Sequence, residues 1–430
     1  MNADSNPVVT YPGFRGVRSR QSPIAVLSIH SYLPVASFYF FFNCAGLPLG
    51  LFYTTLFAPL IFLWLCLKGH RWLTAKFLLF LSPFILAHLV NGIPSPDFYL
   101  RSMFLLWTVY IAVTAICRAL MACKRPDRLF DQLILLNCCA LVLGVASLPT
   151  PIRSFFWLDD ADTIAGVPHL LRLNLLSTEP SAYALLMLPL LVFASLRAIR
   201  QPTMRSLMYL FMIGLPFLLC QSFGGISMCV AGIGVSMMTS YRRMLAKPKA
   251  LIAVLCLGLG AGMVLLTPNP VSARFLQVAT GSDSSTQSRT VFSFIAANAV
   301  ATSKSVWWGA GMGQGKLVDF SDLGIGFTSS VIPNAVAGTY AEFGLIGVLV
   351  RLAVAFVLFS KTRVHRSSYR TAMFVVAFIT QFTGSYLADV QEYVLWFLAF
   401  YPLFPDLEVR AASRRVFSQL PLQTNLITRF

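Results

Sequence analysis

One glutamate and a scattered set of arginines stand out by type and spacing. Glu179-Pro180-Ser181 sets a carboxylate directly before a proline. Proline is favourable in the first turn of a helix, where its missing N–H costs nothing, and an acid beside it faces the positive end of the helix dipole. Two readings of Glu179 stand open: a helix-start signal, or a carboxylate held in place as a base or as the partner of an arginine. Arg101, Arg153, Arg172, Arg274 and Arg289 are the arginines of interest. A guanidinium grips phosphate oxygens in a bidentate fork and keeps its charge when half-buried; the competing reading of each is ordinary solvation. Asp159-Asp160-x-Asp162 offers hard oxygen ligands to a divalent cation, with a solvated acidic turn as the favoured reading. His169 stands alone and reads as structural.

The elements that must position these residues follow from composition. The chain has 430 residues, of which 57% are hydrophobic and only 11% charged. A soluble domain carries about 25% charged residues, so water-soluble, collagenous and disordered classes are excluded. Crossing a bilayer takes roughly 20 apolar residues per helix. Apolar runs broken by charged or Pro/Gly joints predict spans near 24–45, 49–67, 73–92, 99–119, 129–149, 181–197, 206–221, 223–240, 250–267, 336–359, 371–388 and 391–405. The expected fold is an all-α polytopic integral membrane protein of about 12 transmembrane helices, a single membrane domain over residues 1–430. Most of the nine cysteines lie inside apolar runs, with no CxxC pair and no histidine at zinc spacing. They read as small apolar residues of helices, so neither a metal site nor a disulfide is expected.

On a soluble protein the net charge of +17 would suggest a nucleic-acid partner. Here the cations sort by side of the membrane. With the N-terminus inside, every inner joint is basic: Arg15, Arg18 and Arg20, then Lys68 and Arg71, then Arg118, Lys124, Arg125 and Arg128. The pattern continues through Arg197, Arg200 and Arg205, then Arg242, Arg243, Lys247 and Lys249, then Lys361, Arg363, Arg366 and Arg370. The charge is thus mostly a topology signal of the positive-inside kind, and no nucleic acid is implied. Residues 1–22 and 406–430 become cytoplasmic tails, the first without the apolar core of a signal peptide.

Two outer loops are long, at 150–180 and 268–335, and long irregular loops in a compact protein are usually functional. The second holds a stretch, Val291–Val300, that reads as a short interfacial helix. The outer arginines gathered beside the outer leaflet would suit a lipid-linked pyrophosphate. Arg351 lies within the span that begins at Tyr340-Ala341-Glu342. An arginine there costs at least about 2.5 kcal/mol unless paired or hydrated. Its nine-residue offset from Glu342 turns the two to different helix faces, so Arg351 is expected to face another helix or an aqueous cavity, or to snorkel to the inner surface.

Three motifs recur in a specific order: Arg172-x6-Glu179-Pro180-Ser181-x-x-Ala184, Ser288-Arg289-x17-Trp307-Trp308-Gly309-Ala310-Gly311-Met312-Gly313, and Pro333-Asn334-x7-Glu342-x-Gly344-Leu345-Ile346-Gly347. This order, over roughly residues 130–360, resembles the O-antigen ligase and Wzy-type polymerase superfamily of bacteria. The resemblance implies glycosyl transfer at the periplasmic face of the inner membrane, with the two long loops periplasmic and sugar chains on undecaprenyl pyrophosphate as donors. It implies no cofactor and no metal. Partners would be the lipid-linked oligosaccharide, membrane lipids and a chain-length regulator. Where ligases of the superfamily show His-Asn, this chain has Pro333-Asn334, which favours a polymerase of O-antigen or exopolysaccharide units over transfer to lipid A-core.

Within that expectation Glu179 is the general base for a sugar hydroxyl. Arg172 and Arg289 meet the pyrophosphate and stabilise its departing charge. Arg274 and Arg351 stand behind them, Asn334 orients a sugar hydroxyl, and Glu342, Trp307 and Arg153 complete the substrate-binding set. A lipid-linked oligosaccharide flippase or other transporter has the same span count, but acids are nearly absent from the span centres, where proton relays place them. A metal-dependent transferase using Asp159 and Asp160 is the third reading.

Overall fold

The computed structural model describes residues 29–43, 52–160, 170–239, 283–318 and 332–407, with Ser272, Leu276, Gln277, Thr280, Gly281 and Phe320. The expected span at 250–267, Arg274, Asp162, His169, the tail 1–22 and nearly all of the tail 406–430 lie outside the described residues.

The chain is mostly helical. In order come α1 (Ile29–Ser37), α2 (Tyr53–Leu67), α3 (Leu73–Asn91), α4 (Pro96–Ala122), α5 (Pro126–Ser147), α6 (Pro180–Arg200), α7 (Met204–Leu219) and α8 (Phe223–Thr239). After them come α9 (Ser293–Thr302), α10 (Ala335–Thr362), α11 (Ser368–Thr383) and α12 (Val390–Phe400). Among the described residues α3, α4, α5, α6 and α10 are long and apolar enough to cross a membrane. Shorter apolar helices run through Tyr32–Phe42, α2, α7, α8 and α12. Side-chain caps start α4, α7, α10, α11 and α12, where Ser95, Thr203, Asn334, Ser367 and Asp389 each accept a backbone N–H of the first turn. Each such cap satisfies one of the donors that a helix start leaves open.

Helix α6 is the axis of the main core. Every side chain from Tyr183 to Leu196 is buried, as a helix that is apolar on all faces must be. Around it pack residues of α5, α7, α8, α11 and α12, among them Phe130, Phe217, Cys229, Tyr369 and Leu395. The outer faces of α3 and α10 leave Leu79, Val90, Leu349 and Phe356 exposed. Bare apolar faces of this size need an apolar environment.

Two departures from the sequence reading bear on the site. The described parts of the connection at 150–180 hold regular structure. After a 3-10 turn at Pro151–Phe155 it folds into an antiparallel pair, β1 (Trp157–Asp160) and β2 (Leu170–Leu173), in which Trp157 faces Leu173 and Leu158 faces Arg172. Buried Trp157 and Leu173 anchor it, and the Trp157 indole donates to Gly144 O at 2.7 Å. The span expected at 371–388 ends early: α11 stops at Thr383, and residues 384–389 form a non-helical connection to α12. Tyr386-Leu387-Ala388 is apolar enough to read as helix, but Gly384 breaks the run and Asp389 caps the next one.

Candidate active site

Glu179 is the N-cap residue of α6, in extended conformation, and its carbonyl accepts the first helical bond from Tyr183 N at 3.1 Å. Its carboxylate makes no cap bond. Instead it accepts from Ser181 Oγ at 2.8 Å and lies 3.8 Å from the Arg289 guanidinium. Backbone strain gathers just before it. Leu175 and Leu176 both take positive φ, 39° and 68°, a conformation that costs of order 1–3 kcal/mol per residue and persists only where surroundings enforce it. Here the enforcing bonds are Leu176 N to Phe155 O at 2.9 Å and Asn174 Nδ2 to Ser177 O at 3.0 Å.

Arg289 comes from the far side of the sequence, on a π-helical turn, Ser288–Phe292, that leads into α9. Single π turns inside helices are frequent at functional sites. Asn334 holds this turn in place. Asn334 Nδ2 donates to Arg289 O at 3.0 Å and to Phe382 O at 2.7 Å, while Asn334 Oδ1 caps α10 through Ala337 N at 2.9 Å. At Gly384 an added Cβ would stand 3.3 Å from Arg289 Nη1, so the guanidinium lies against the start of the 384–389 connection. Asn334 is fully buried and its amide is engaged on backbone groups. Asn334, expected to orient a sugar hydroxyl, fastens the Arg289 turn to the end of α11.

Arg172 is placed differently from Arg289. It is 8% exposed, its Nε donates to Cys220 O at 3.3 Å and its Nη2 to Gln221 O at 3.5 Å. These carbonyls end α7, where a cation meets the negative end of the helix dipole. Gln221 also has positive φ, 49°. Arg172 thus ties β2 to the α7–α8 turn.

A buried polar network lies behind the 384–389 connection. Arg351 of α10 is paired with Glu392 of α12, donates from Nε to Gln381 Oε1 at 3.1 Å, and from Nη1 to Thr339 Oγ1 at 3.3 Å. Glu392 also accepts from Trp396 Nε1 at 3.1 Å and from Ser385 Oγ at 2.5 Å. Of the three placements open to it, Arg351 takes the one that faces other helices, and it is enclosed there as a lock among α10, α11 and α12. Sequence reasoning missed Glu392, the one signal being an acid near a span start. Asp389, beside Ser385 and Glu392, is pushed up to about 7 by burial, with the negative Glu392 adding.

Trp307 and Glu342 meet in a second structure, a backbone joint between two glycine-bearing segments. Ala310 N donates to Ala341 O at 2.9 Å, Gly311 N to Glu342 O at 3.1 Å, Leu345 N to Val306 O at 2.9 Å and Ile346 N to Trp307 O at 3.2 Å. Gly344 breaks α10 at φ 67°, and a Cβ on Gly309 would stand 2.5 Å from the Glu342 carbonyl. Only glycine permits both the left-handed backbone and this approach. The Glu342 carboxylate accepts from Gly313 N at 3.1 Å, and His88 joins Tyr99 OH at 3.0 Å to Trp308 O at 2.9 Å. The glycine-bearing ends of the second and third sequence motifs are thus one packing joint. Arg153 pairs with Asp159 at 3.7 Å on the hairpin, both half-exposed. The structure brings Glu179 and Arg289 together and assigns Asn334, Arg351 and Glu342 to their support or to separate joints.

The chain matches no family model and no curated protein.

Proposed function

We propose that the chain is a membrane glycosyltransferase that polymerises undecaprenyl-pyrophosphate-linked oligosaccharide units, of O-antigen or exopolysaccharide type, at the periplasmic face of the bacterial inner membrane. The observation that supports this reading is the Glu179–Arg289 pair: an accessible carboxylate 3.8 Å from an arginine, drawn from separate segments and set on braced backbone. In the reaction, a sugar hydroxyl oxygen attacks the anomeric carbon of the donor and its proton passes to Glu179. The bond from that carbon to the pyrophosphate breaks, and the electron pair leaves with undecaprenyl pyrophosphate. Arg289 stabilises the charge on the departing group, the kind of preorganised electrostatics that dominates many enzymes. Pro333 before Asn334 supports polymerase over ligase.

The buried Arg351–Glu392 pair favours a second reading, a lipid-linked oligosaccharide transporter, because ionisable groups inside a membrane bundle often mark transport paths. Deletion in the native host, with gels of the surface polysaccharide, separates the readings. Loss of the ladder with single repeats kept on lipid A-core is the expected result. Intact polymer accumulating on its lipid carrier would assign a ligase, and loss of all surface repeats a transporter.

A further inference from the structure

We propose that Tyr386 is the sugar-binding platform of this site, its ring stacking on a pyranose of the lipid-linked substrate beside Glu179 and Arg289. The inference rests on the glycosyltransferase reading above. Tyr386 lies on the 384–389 connection, two residues after the glycine against which the Arg289 guanidinium packs. It is 45% exposed, yet its backbone is tightly held. Gly384 N donates to Thr380 O at 3.1 Å, Ser385 Oγ to buried Glu392, Gln391 N to Asp389 Oδ1 at 2.8 Å, and Tyr393 OH to Leu387 O at 2.9 Å. Other exposed apolar side chains such as Leu79 and Val90 sit on helix faces; Tyr386 is presented by a braced connection at the ion pair.

The chemistry of the occupant follows. A pyranose has an apolar C–H face and a rim of hydroxyls, and tyrosine matches it with an apolar ring and a polar tip. Two side-chain torsions make its ordering inexpensive. Burial raises the Tyr386 hydroxyl above its ordinary range, Glu179 and Asp389 add to that and Arg289 opposes it, so the hydroxyl is neutral and free to donate to a sugar oxygen. Braced backbone beneath the ring is what a positioning surface requires.

The test is steady-state elongation of purified undecaprenyl-pyrophosphate-linked repeat units from the native host by the detergent-solubilised full chain. Tyr386→Ala is expected to raise KM at least tenfold with a far smaller fall in kcat and an unchanged Tm, and Tyr386→Phe to recover most of the lost affinity. An alanine variant with KM within threefold of wild type overturns the assignment while leaving the glycosyltransferase reading intact. So does a phenylalanine variant as weak as alanine, or a fall in kcat and Tm without a change in KM. Wild-type protein that elongates nothing overturns the parent reading, and this one with it.

Discussion

The Glu179 carboxylate stands 3.8 Å from the Arg289 guanidinium although α6, α7 and α8 separate them in sequence. Glu179 occupies a cap position without making a cap bond, and Glu179→Gln separates its two readings. A dipole contribution is worth about 0.3–1 kcal/mol and a solvent-exposed ion pair about 0–1 kcal/mol. Glu179→Gln should therefore leave Tm nearly unchanged in detergent. A general base contributes typically 10²–10⁴-fold, so the same variant should lose about that factor in elongation rate. Glu179→Gln running within a few-fold of wild type would return Glu179 to a helix-start role.

Arg289 and Arg172 should separate in the same assays. Arg289 is partly exposed and faces a carboxylate, so Arg289→Ala should abolish elongation with little change in Tm. Arg289→Lys, which lacks the bidentate fork, should leave weak activity. Arg172→Ala removes donors from the Cys220 and Gln221 carbonyls inside the fold, a loss of about 1–3 kcal/mol. Its signature is a lowered Tm; an Arg172→Ala protein with native Tm and no activity would move Arg172 into the substrate site.

Arg351 and Glu392 are enclosed together. Removing one partner of such a pair leaves an uncompensated charge and costs about 3–5 kcal/mol. Arg351→Met and Glu392→Leu should each lower Tm strongly, and the double variant should recover much of it. Activity should recover less than Tm, because Ser385 still lacks its Glu392 acceptor. Thermal unfolding of the three variants checks this, with additive losses counting against the lock.

Asp389 ties stability to pH. Its carboxyl is raised from 3.8 to about 7 by burial, with Glu392 adding; Ser385 Oγ and the Gln391 N–H face it, and Glu392 is itself paired with Arg351. Between these values the folded state keeps a proton that the unfolded chain releases, so stability from this group is present at low pH and falls as pH rises through about 7. Asp389→Asn keeps the cap acceptor and removes the titration. Tm of wild type should fall between pH 5 and pH 8 relative to Asp389→Asn; parallel curves would refute the linkage.

Orientation is checked by labelling. In a background lacking the nine native cysteines, single cysteines at Ser154 and Ser285 should react with an impermeant maleimide in intact cells. Failure at both would reverse the threading that the basic joints suggest.

Much of the helix pattern was legible because a lipid interior leaves the backbone only one local way to satisfy its hydrogen bonds, so the sequence must supply long apolar runs. Runs such as 73–92 and 181–197 reappear as α3 and α6 nearly end for end. Glu179 was legible by chemical type and by its position before Pro180. What hydropathy misread was the end of α11, since Tyr386-Leu387-Ala388 differs from a span only through Gly384 and Asp389. The rest belongs to tertiary structure, because helix packing selects which faces meet and a linear pattern carries no record of the partner. Arg172 and Arg289 are the same residue type on two polar segments, yet one is folded onto helix-end carbonyls and the other onto a carboxylate. Arg351 was recognisably in need of a partner; that the partner is Glu392, and that the pair braces the turn bearing Tyr386, was decided only when α10, α11 and α12 came together.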